Sequence, residues 1–197
     1  MNRKYELTNE TKEVFGKTIH RIRALKAFGD VEAGELGGWI EREENLSQEG
    51  LCWVSDDGCV FGDARVSGDA WVCGNGRVFD NGRVFDNGRV FGNGWVCGNG
   101  RVFGDAWVSG DTKVCGDMVI QRTRDYLALG PTGPYNEPIS FGQDKDGAVV
   151  VRCGCFCGTL EEFAMAVEEK HGNDKFGEEY RAAIELAKVR FLTEETK

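Results

Sequence analysis

An uninterrupted six-residue period in the middle of the 197-residue chain constrains its fold more than any other feature. Asp or Asn stands three positions after each aliphatic residue of this period up to Val114, and for most of the run a small residue stands four positions after it. Six residues are too few for a helical repeat, so each hexad must be one short extended segment and one turn. The aliphatic residues are Val54, Val60, Val66, Val72, Val78, Val84, Val90, Val96, Val102, Val108, Val114 and Ile120.

The alternation of side chains along an extended segment gives each position of the hexad a direction. The small residue and the valine two positions later point inward, and the residues on either side of the valine point outward. Gly, Asn and Asp tolerate the left-handed backbone region of a tight turn, which accounts for many of the 28 glycines. Three hexads close a triangular coil of about 18 residues, so residues 54–120 predict roughly 3.7 coils stacked in parallel at about 4.8 Å.

These positions resemble the hexapeptide repeat of left-handed β-helix proteins, which include bacterial acyltransferases and γ-class carbonic anhydrases. The flanks are similar to the cap and the C-terminal module of phage-borne and prophage-borne hexapeptide-repeat proteins. The resemblance implies a mainly β fold with a left-handed triangular parallel β-helix, a phage origin, and no enzymatic activity common to that family. It is carried by residues 5–7, 16–18, 21–25, 37–41, 45–50 and 154–163, with His171, Gly172 and Tyr180.

The chain divides into four predicted segments. The six-residue step is kept at Ile40, Leu46 and Cys52 and is reset by two at Val54, which indicates an irregular coil before the repeats. A helix needs a longer pattern, and one is found after residue 159 alone. We expect an N-terminal β-hairpin and irregular capping coil over 1–53, the hexapeptide-repeat β-helix over 54–120, a linker over 121–134, and a C-terminal ββαα module over 135–197.

The C-terminal module is predicted from local signals. Gly and Pro residues within 130–134 indicate the linker, and the turn residues 144–147 indicate a hairpin between two short apolar runs. Thr159 and Glu162 have the spacing of a capping box that opens a helix. A second helix is predicted over 175–191 from apolar residues at helical spacing. We expect this module to cover apolar side chains of the coil or to join subunits.

Residues 18 apart stack on one face of the predicted prism, so the outward positions show what each face carries. The outward aromatic surface is larger than a soluble monomer displays. We expect the ladder formed by Trp53, Trp71, Trp107 and Phe91 to be buried under the caps or against another subunit.

A second outward group is predicted to bind a partner. Arg65, Arg83 and Arg101 form a row that can hold phosphates or acidic side chains. Phe85 and Phe103 lie beside this row, where bases or aromatic side chains can stack. Covering apolar surface is the structural alternative for the same five residues.

The number and positions of the histidines speak against the activities of the enzymes that share this repeat. An acyltransferase on this scaffold needs a general base, and a γ-class carbonic anhydrase needs three His for zinc. The chain has two, His20 and His171, both outside the repeats, and no insertion interrupts residues 54–120. His171 precedes Gly172 at a predicted helix end, where a structural role beside the helix dipole is favoured. No catalytic residue, metal or cofactor is predicted.

The eight cysteines are expected to be reduced thiols. On one strand, Cys153, Cys155 and Cys157 would be about 7 Å apart per step, too wide for one tetrahedral ion without a bend. Cys97 and Cys115 stack on adjacent coils, but a reducing compartment argues against a disulfide between them.

The function expected from these observations is that of a non-catalytic, phage-encoded β-helix binding protein. It would engage a host or phage macromolecule, a nucleoprotein complex included, and inhibit a bacterial defence system in the manner of an anti-CRISPR protein. The net charge of −9 speaks against a generic polyanion binder, and direct binding of nucleic acid is left open.

The expected location is the cytoplasm of a bacterial host, because no leader and no membrane span are recognised. A homo-oligomer is expected, with dimer and trimer left open. Two alternatives stand beside the binding protein. One is a hexapeptide-type acyltransferase acting on a small acceptor, with His20 or His171 as the base across a trimer interface; the other is a structural, self-assembling protein.

Overall fold

The computed structural model describes residues 3–193. Residues 3–52 form an N-terminal hairpin sheet and a first coil, residues 53–122 a parallel β-helix, and residues 126–191 a sheet with two helices. The mainly β architecture predicted from the repeat is therefore confirmed. Within residues 3–193, no helix is both long and apolar enough to cross a bilayer.

Short parallel strands in three sheets build the β-helix. Trp53 lies opposite Trp71 and Arg65 opposite Arg83. The Cα atoms of Cys97 and Cys115, 18 residues apart in sequence, are 4.7 Å apart, which is the rise of one coil. The strands are β4 (Trp53–Val54), β5 (Cys59–Val60), β6 (Arg65–Val66), β7 (Trp71–Val72), β8 (Arg77–Val78), β9 (Arg83–Val84), β10 (Arg89–Val90), β11 (Trp95–Val96), β12 (Arg101–Asp105), β13 (Trp107–Val108), β14 (Lys113–Val114) and β15 (Val119–Arg122). The sheet orders are β4-β7-β10-β13, β5-β8-β11-β14 and β6-β9-β12-β15.

The inward and turn positions of the hexad are as predicted. Every aliphatic residue of the period from Val54 to Ile120 is buried in one continuous core. The residue two positions after each valine has a positive φ, and it is Gly at most corners. Asp56, Asp80 and Asp86 take the same conformation with φ of 54°, 55° and 53°. The turns therefore use the left-handed backbone that Gly and Asp tolerate.

The N-terminal region closes one end of the β-helix. Strands β1 (Tyr5–Val14), β2 (Lys17–Ala24) and β3 (Leu36–Ile40) are antiparallel neighbours, and β3 pairs in parallel with β5. Ile40 pairs with Val60 and Leu46 with Val66, so this first coil is two residues longer than those that follow, as predicted. Lys4 is buried in this cap, and its Nζ donates to the carbonyl oxygen of Cys52 at 2.9 Å.

The C-terminal module corrects two expectations. Its strands β16 (Tyr126–Thr132), β17 (Glu137–Gln143), β18 (Val149–Cys153) and β19 (Phe156–Thr159) form an antiparallel sheet in that order, so the module has four strands where a ββαα unit was expected. Strand β16 lies within the expected linker 121–134. Pro131 is tolerated there because β16 is an edge strand with an irregular register after Leu129.

Both helices of the module begin and end as predicted. Helix α1 (Leu160–His171) starts at Thr159, whose side chain accepts from the Glu162 amide, and the Glu162 side chain bonds back to complete the capping box. Helix α2 (Lys175–Phe191) starts at Asp174. The hairpin between β17 and β18 turns at residues 144–147, also as predicted.

Candidate functional site

The structure places the predicted partner-binding residues on one exposed face. Arg65, Arg83 and Arg101, here called the arginine stripe, are direct cross-strand neighbours on β6, β9 and β12. All three are exposed, and none of their side chains makes an ion pair or hydrogen bond with another residue of 3–193. Phe85 and Phe103 stack at 4.8 Å with 3° between ring planes, so each ring covers one face of the other.

The aromatic ladder has a buried beginning. Trp53 is fully buried under the N-terminal cap, in edge-to-face contact with Tyr5 at 6.3 Å and Phe28 at 5.3 Å. Trp71, one coil further on, is half-buried and packs against the same core. These two residues are therefore covered by the chain itself.

The other end of the ladder is open. Trp107 is 50% exposed, and the Arg89 guanidinium lies 5.5 Å from its ring centre. Phe91 contacts Trp107 edge to face at 6.1 Å. Arg89, Phe91 and Trp107, here called the Trp107 patch, are the part of the ladder available to a partner.

The tip of the N-terminal hairpin contacts the remaining face; burial of aromatic residues under a cap was expected, but the part played by Phe15 was not. Phe15, at the β1–β2 turn, contacts Phe61 at 6.0 Å, Phe79 at 5.9 Å and Trp95 at 6.0 Å. A turn residue carries no periodic signal, so its partner could not be identified from spacing.

The expectation that all eight cysteines are reduced is wrong for one pair. Cys97 and Cys115 form a disulfide between adjacent coils. Their outward positions one coil apart bring the two sulfur atoms within bonding reach, and an argument from the cellular compartment does not change that geometry.

The three C-terminal cysteines lie on a hairpin and not on one strand. Cys153 ends β18, Cys155 lies in the turn, and Cys157 is on β19. In the described part of the chain, no three His, Cys, Asp or Glu side chains form a group that could hold a metal ion.

A cavity of about 580 Å³ in the C-terminal module is lined by side chains that can take part in acid–base or nucleophilic chemistry. It lies between the β18–β19 turn, α1 and the first turns of α2. Its walls include the apolar side chains of Phe156, Phe163 and Val167 and the polar side chains of Cys153, His171 and Tyr180. Concave, mostly apolar sites with a few polar groups are the usual form of small-molecule sites.

His171 is held in the wall of this cavity by the start of the next helix. Its Nδ1 lies 3.2 Å from Asp174 Oδ2, and its side chain is only 10% exposed. Asp174 Oδ1 accepts from the Gly177 amide at 2.8 Å, so the same carboxylate caps α2 and orients the imidazole. His20, the other candidate base, lies on β2 opposite Thr11 and Ile40.

Burial and hydrogen bonds set the protonation states of the groups around His171. Burial raises the pKa of Tyr180 to about 12, with the Cys153 thiol adding to the shift, so the phenol stays protonated at neutral pH. Burial also raises the pKa of Cys153, so this sulfur is a thiol and a poor nucleophile. The Gly177 amide and His171 lower the pKa of Asp174, which therefore remains a carboxylate.

The sequence analysis named His171 and the three cysteines but did not bring them together. Tyr180 sits so close to Gly133 that a Cβ at residue 133 would lie 1.7 Å from the phenol oxygen. This close approach of the β16–β17 turn to α2 is a long-range contact, and no local pattern predicts it. The available signal was the C-terminal resemblance, in which residues 154–163, His171 and Tyr180 occur together.

No family model matches the chain. A stretch of 47 residues is 49% identical to an uncharacterised acetyltransferase, YdcK, of Escherichia coli strain K12. The match covers 23% of this chain and 14% of that protein's length. With the parallel β-helix, it fits a hexapeptide-repeat β-helix protein.

Proposed function

We propose that the protein transfers an acyl group, in the simplest case acetyl, to a small acceptor at the cavity around His171. The observation that carries the proposal is His171 in the wall of a mostly apolar cavity, with Asp174 beside its Nδ1. The similarity to an acetyltransferase supports the same reaction class.

His171 has the arrangement of a general base. The Asp174 carboxylate accepts a hydrogen bond, so it favours the tautomer in which Nδ1 carries the proton and Nε2 is free. An oriented imidazole with a free Nε2 can take a proton from an attacking amine or hydroxyl group. Asp174 is a positioning residue in this scheme.

Tyr180 supplies a hydrogen-bond donor for the charge that develops on the acyl oxygen. Its phenol lines the same cavity and stays protonated at neutral pH. A fixed donor directed at a developing oxyanion stabilises the transition state. The protonated Cys153 thiol makes direct transfer to the acceptor more favourable than a covalent enzyme intermediate at that sulfur.

The reaction is balanced with a thioester as the acyl donor. The acceptor nitrogen or oxygen forms a bond to the acyl carbon while His171 Nε2 takes its proton. The carbon–sulfur bond breaks, and the leaving thiolate takes that proton from the imidazolium. No oxidant or metal is consumed.

The test is the release of free thiol from acetyl-coenzyme A with a panel of small amines and alcohols. His171→Gln should lower kcat by about a hundredfold or more, because general-base catalysis contributes on that scale. His20→Gln is the matched control and should keep the wild-type rate. Wild-type turnover by His171→Gln, or no thiol release with any acceptor, would refute the proposal.

Asp174→Asn separates orientation from folding. Asn caps a helix as well as Asp does, so α2 should remain folded. Its amide cannot hold the same tautomer as a carboxylate, so kcat should fall while KM changes little. A rise in KM with unchanged kcat would instead assign Asp174 to substrate binding.

A second candidate is the non-catalytic binding protein, and the Trp107 patch favours it. Trp and Arg are the side chains that most often dominate protein interfaces, and Trp107 is half exposed beside Arg89. The partner would be a second copy of this chain or a host macromolecule. The most specific version of this candidate is a phage-encoded protein that acts against a bacterial defence system in the cytoplasm. Trp107→Ala should abolish self-association in sizing experiments or capture of that partner, with Trp71→Phe as the control.

A further inference from the structure

The arginine stripe is an unneutralised row of like charges. Its three members are one coil apart in direct register, and like charges directly opposite one another destabilise a sheet. Several other arginines of residues 3–193 pair with acids, as Arg23 does with Glu6 and Arg181 with Glu168, and Arg89 lies over an aromatic ring. A row that costs stability and lacks a partner within the described chain indicates a ligand from outside it.

The surroundings of the stripe set the length of that ligand. A groove of about 530 Å³ runs along it, lined on one side by a turn ladder of Asp63, Asn81, Asn99 and Asp117. The middle rungs are neutral amides: Asn81 donates to Asn99 at 3.2 Å, and Asn99 donates to Asp117 at 3.0 Å. Carboxylates stand only at the two ends of the ladder, so an anion is favoured in the middle and repelled beyond either end.

Two of the four acids that line the groove are paired with cations. Asp63 pairs with Arg42 at one end, and Asp117 accepts from Asn99 at the other. In the β17–β18 turn that overhangs the far end, Asp146 pairs with Lys145 at 2.6 Å. Asp117 and Asp144 accept hydrogen bonds from amides only and keep their charge, so the unpaired positive charge of the groove is concentrated at its middle, where Arg83 lies between the neutral Asn81 and Asn99 rungs.

We propose that the arginine stripe binds a short oligophosphate, with about three phosphate groups spread over the two coil steps between Arg65 and Arg101. Guanidinium groups present planar donor forks that match phosphate oxygens, and such charge-assisted bonds are the strong ones. This site is independent of the acyl-transfer proposal, since no residue of the stripe lines the cavity at His171.

Two other anion classes fit less well. A peptide ligand needs buried apolar anchors, and the groove is lined almost entirely by charged and amide side chains, with Val119 at its end. A long nucleic acid would extend past the bracketing carboxylates and meet a protein of net charge −9. Stacking on Phe85 and Phe103 is also restricted, because the rings already cover each other.

The test is calorimetric titration of the protein with inorganic triphosphate and with orthophosphate. Triphosphate should bind about tenfold or more tightly than orthophosphate, because each added charge-assisted hydrogen bond is worth that factor or more. Arg83→Gln, at the centre of the stripe, should weaken triphosphate binding about tenfold to a hundredfold. Arg83→Lys keeps the charge but lacks the planar fork, so its triphosphate affinity should lie between those of the wild type and Arg83→Gln.

Arg77→Gln is the matched control, since Arg77 has the same hexad position on another face, where its guanidinium lies 5.4 Å from the Phe15 ring centre. Its triphosphate affinity should equal that of the wild type. Without ligand, Arg83→Gln should unfold no more easily than the wild type, because it relieves repulsion in the row.

Three results would overturn the proposal: no triphosphate binding at millimolar concentration, equal binding by Arg83→Gln, or tighter binding of an acidic peptide such as oligoglutamate than of triphosphate. The last result would assign the stripe to a protein partner.

Discussion

The β-helix and the C-terminal module of this chain are built on opposite principles. In the β-helix, each residue has the role that its hexad position gives it, and its partners lie one coil away. In the module, the contacts that matter join distant residues, as the Gly133 amide and the Glu179 carboxylate do at 2.8 Å. Repetition produces a surface of regular rows one coil apart, whereas the irregular packing of β16, β18, α1 and α2 surrounds the cavity that can hold a reacting group.

The largest effect is expected from opening the Cys97–Cys115 disulfide, which joins neighbouring coils of the β-helix. A disulfide that closes a loop of this size is worth about 3 kcal/mol. Cys97→Ser with Cys115→Ser should lower the free energy of unfolding by about that amount in chemical denaturation. Cys73→Ser, at the same hexad position but unbonded, should have little effect.

Thiol titration of the unfolded chain checks the same bond directly. The disulfide leaves six free thiols before reduction, and all eight cysteines should react afterwards. Eight reactive thiols without reductant would show that the bond does not form.

The next effect tests how tightly the coils stack. A Cβ at Gly100 would lie 2.6 Å from the Val114 carbonyl oxygen, so Gly100→Ala should destabilise the β-helix by about 1–3 kcal/mol. At Gly94, the same hexad position, the nearest atom is 3.2 Å away, so Gly94→Ala should cost clearly less. Equal losses of unfolding free energy in the two variants would contradict this account of the stacking.

In the C-terminal module, stability depends on individual contacts, such as the N-cap of α1, and not on a repeated hexad position. Thr159→Ala removes the hydrogen bond to the Glu162 amide and should destabilise α1 by about 1 kcal/mol, whereas Thr159→Ser should retain most of it. Because His171 is the last residue of α1, the helical circular-dichroism signal and the thiol-release rate should decline together. A lower thiol-release rate without any change in helix content would show that Thr159 affects the reaction by a route other than capping α1.

The smallest effect concerns pH and the N-terminal cap. The Gly62 amide and Lys17 lower the pKa of Glu41 below its ordinary 4.5. The folded state then binds fewer protons than the unfolded state in that range, so Glu41 stabilises the fold above pH 4.5 and loses this contribution as the pH falls through its folded pKa. The stability difference between wild type and Glu41→Gln should shrink on acidification, and a constant difference would contradict the assignment.

The same contrast explains how much could be predicted from the sequence. Burial of Val84 and the positive φ at Gly74 follow from the hexad alone, because each depends on residues within one coil. Phe15 covering Phe79 does not, since a turn residue can contact any face within its reach. The disulfide was excluded by an argument from the compartment, although the stacking of Cys97 and Cys115 was correctly predicted.

For the module, local signals were sufficient for the helices and insufficient for the site. The Thr159–Glu162 spacing predicted the start of α1, but no pattern placed Asp174 against His171 or Tyr180 against Gly133. His171 and Asp174 meet across the short α1–α2 connection, which has no periodic pattern. The Tyr180–Gly133 contact depends on how α2 packs against the sheet, and sequence periodicity carries no information on that packing.

The central claim is that the irregular module, and not the regular β-helix, carries the chemistry. The most direct measurement is kcat for thiol release from acetyl-coenzyme A by His171→Gln, with unfolding free energy measured on the same sample. The account predicts a fall of about a hundredfold or more with unchanged stability. A His171→Gln variant that turns over at the wild-type rate would contradict it.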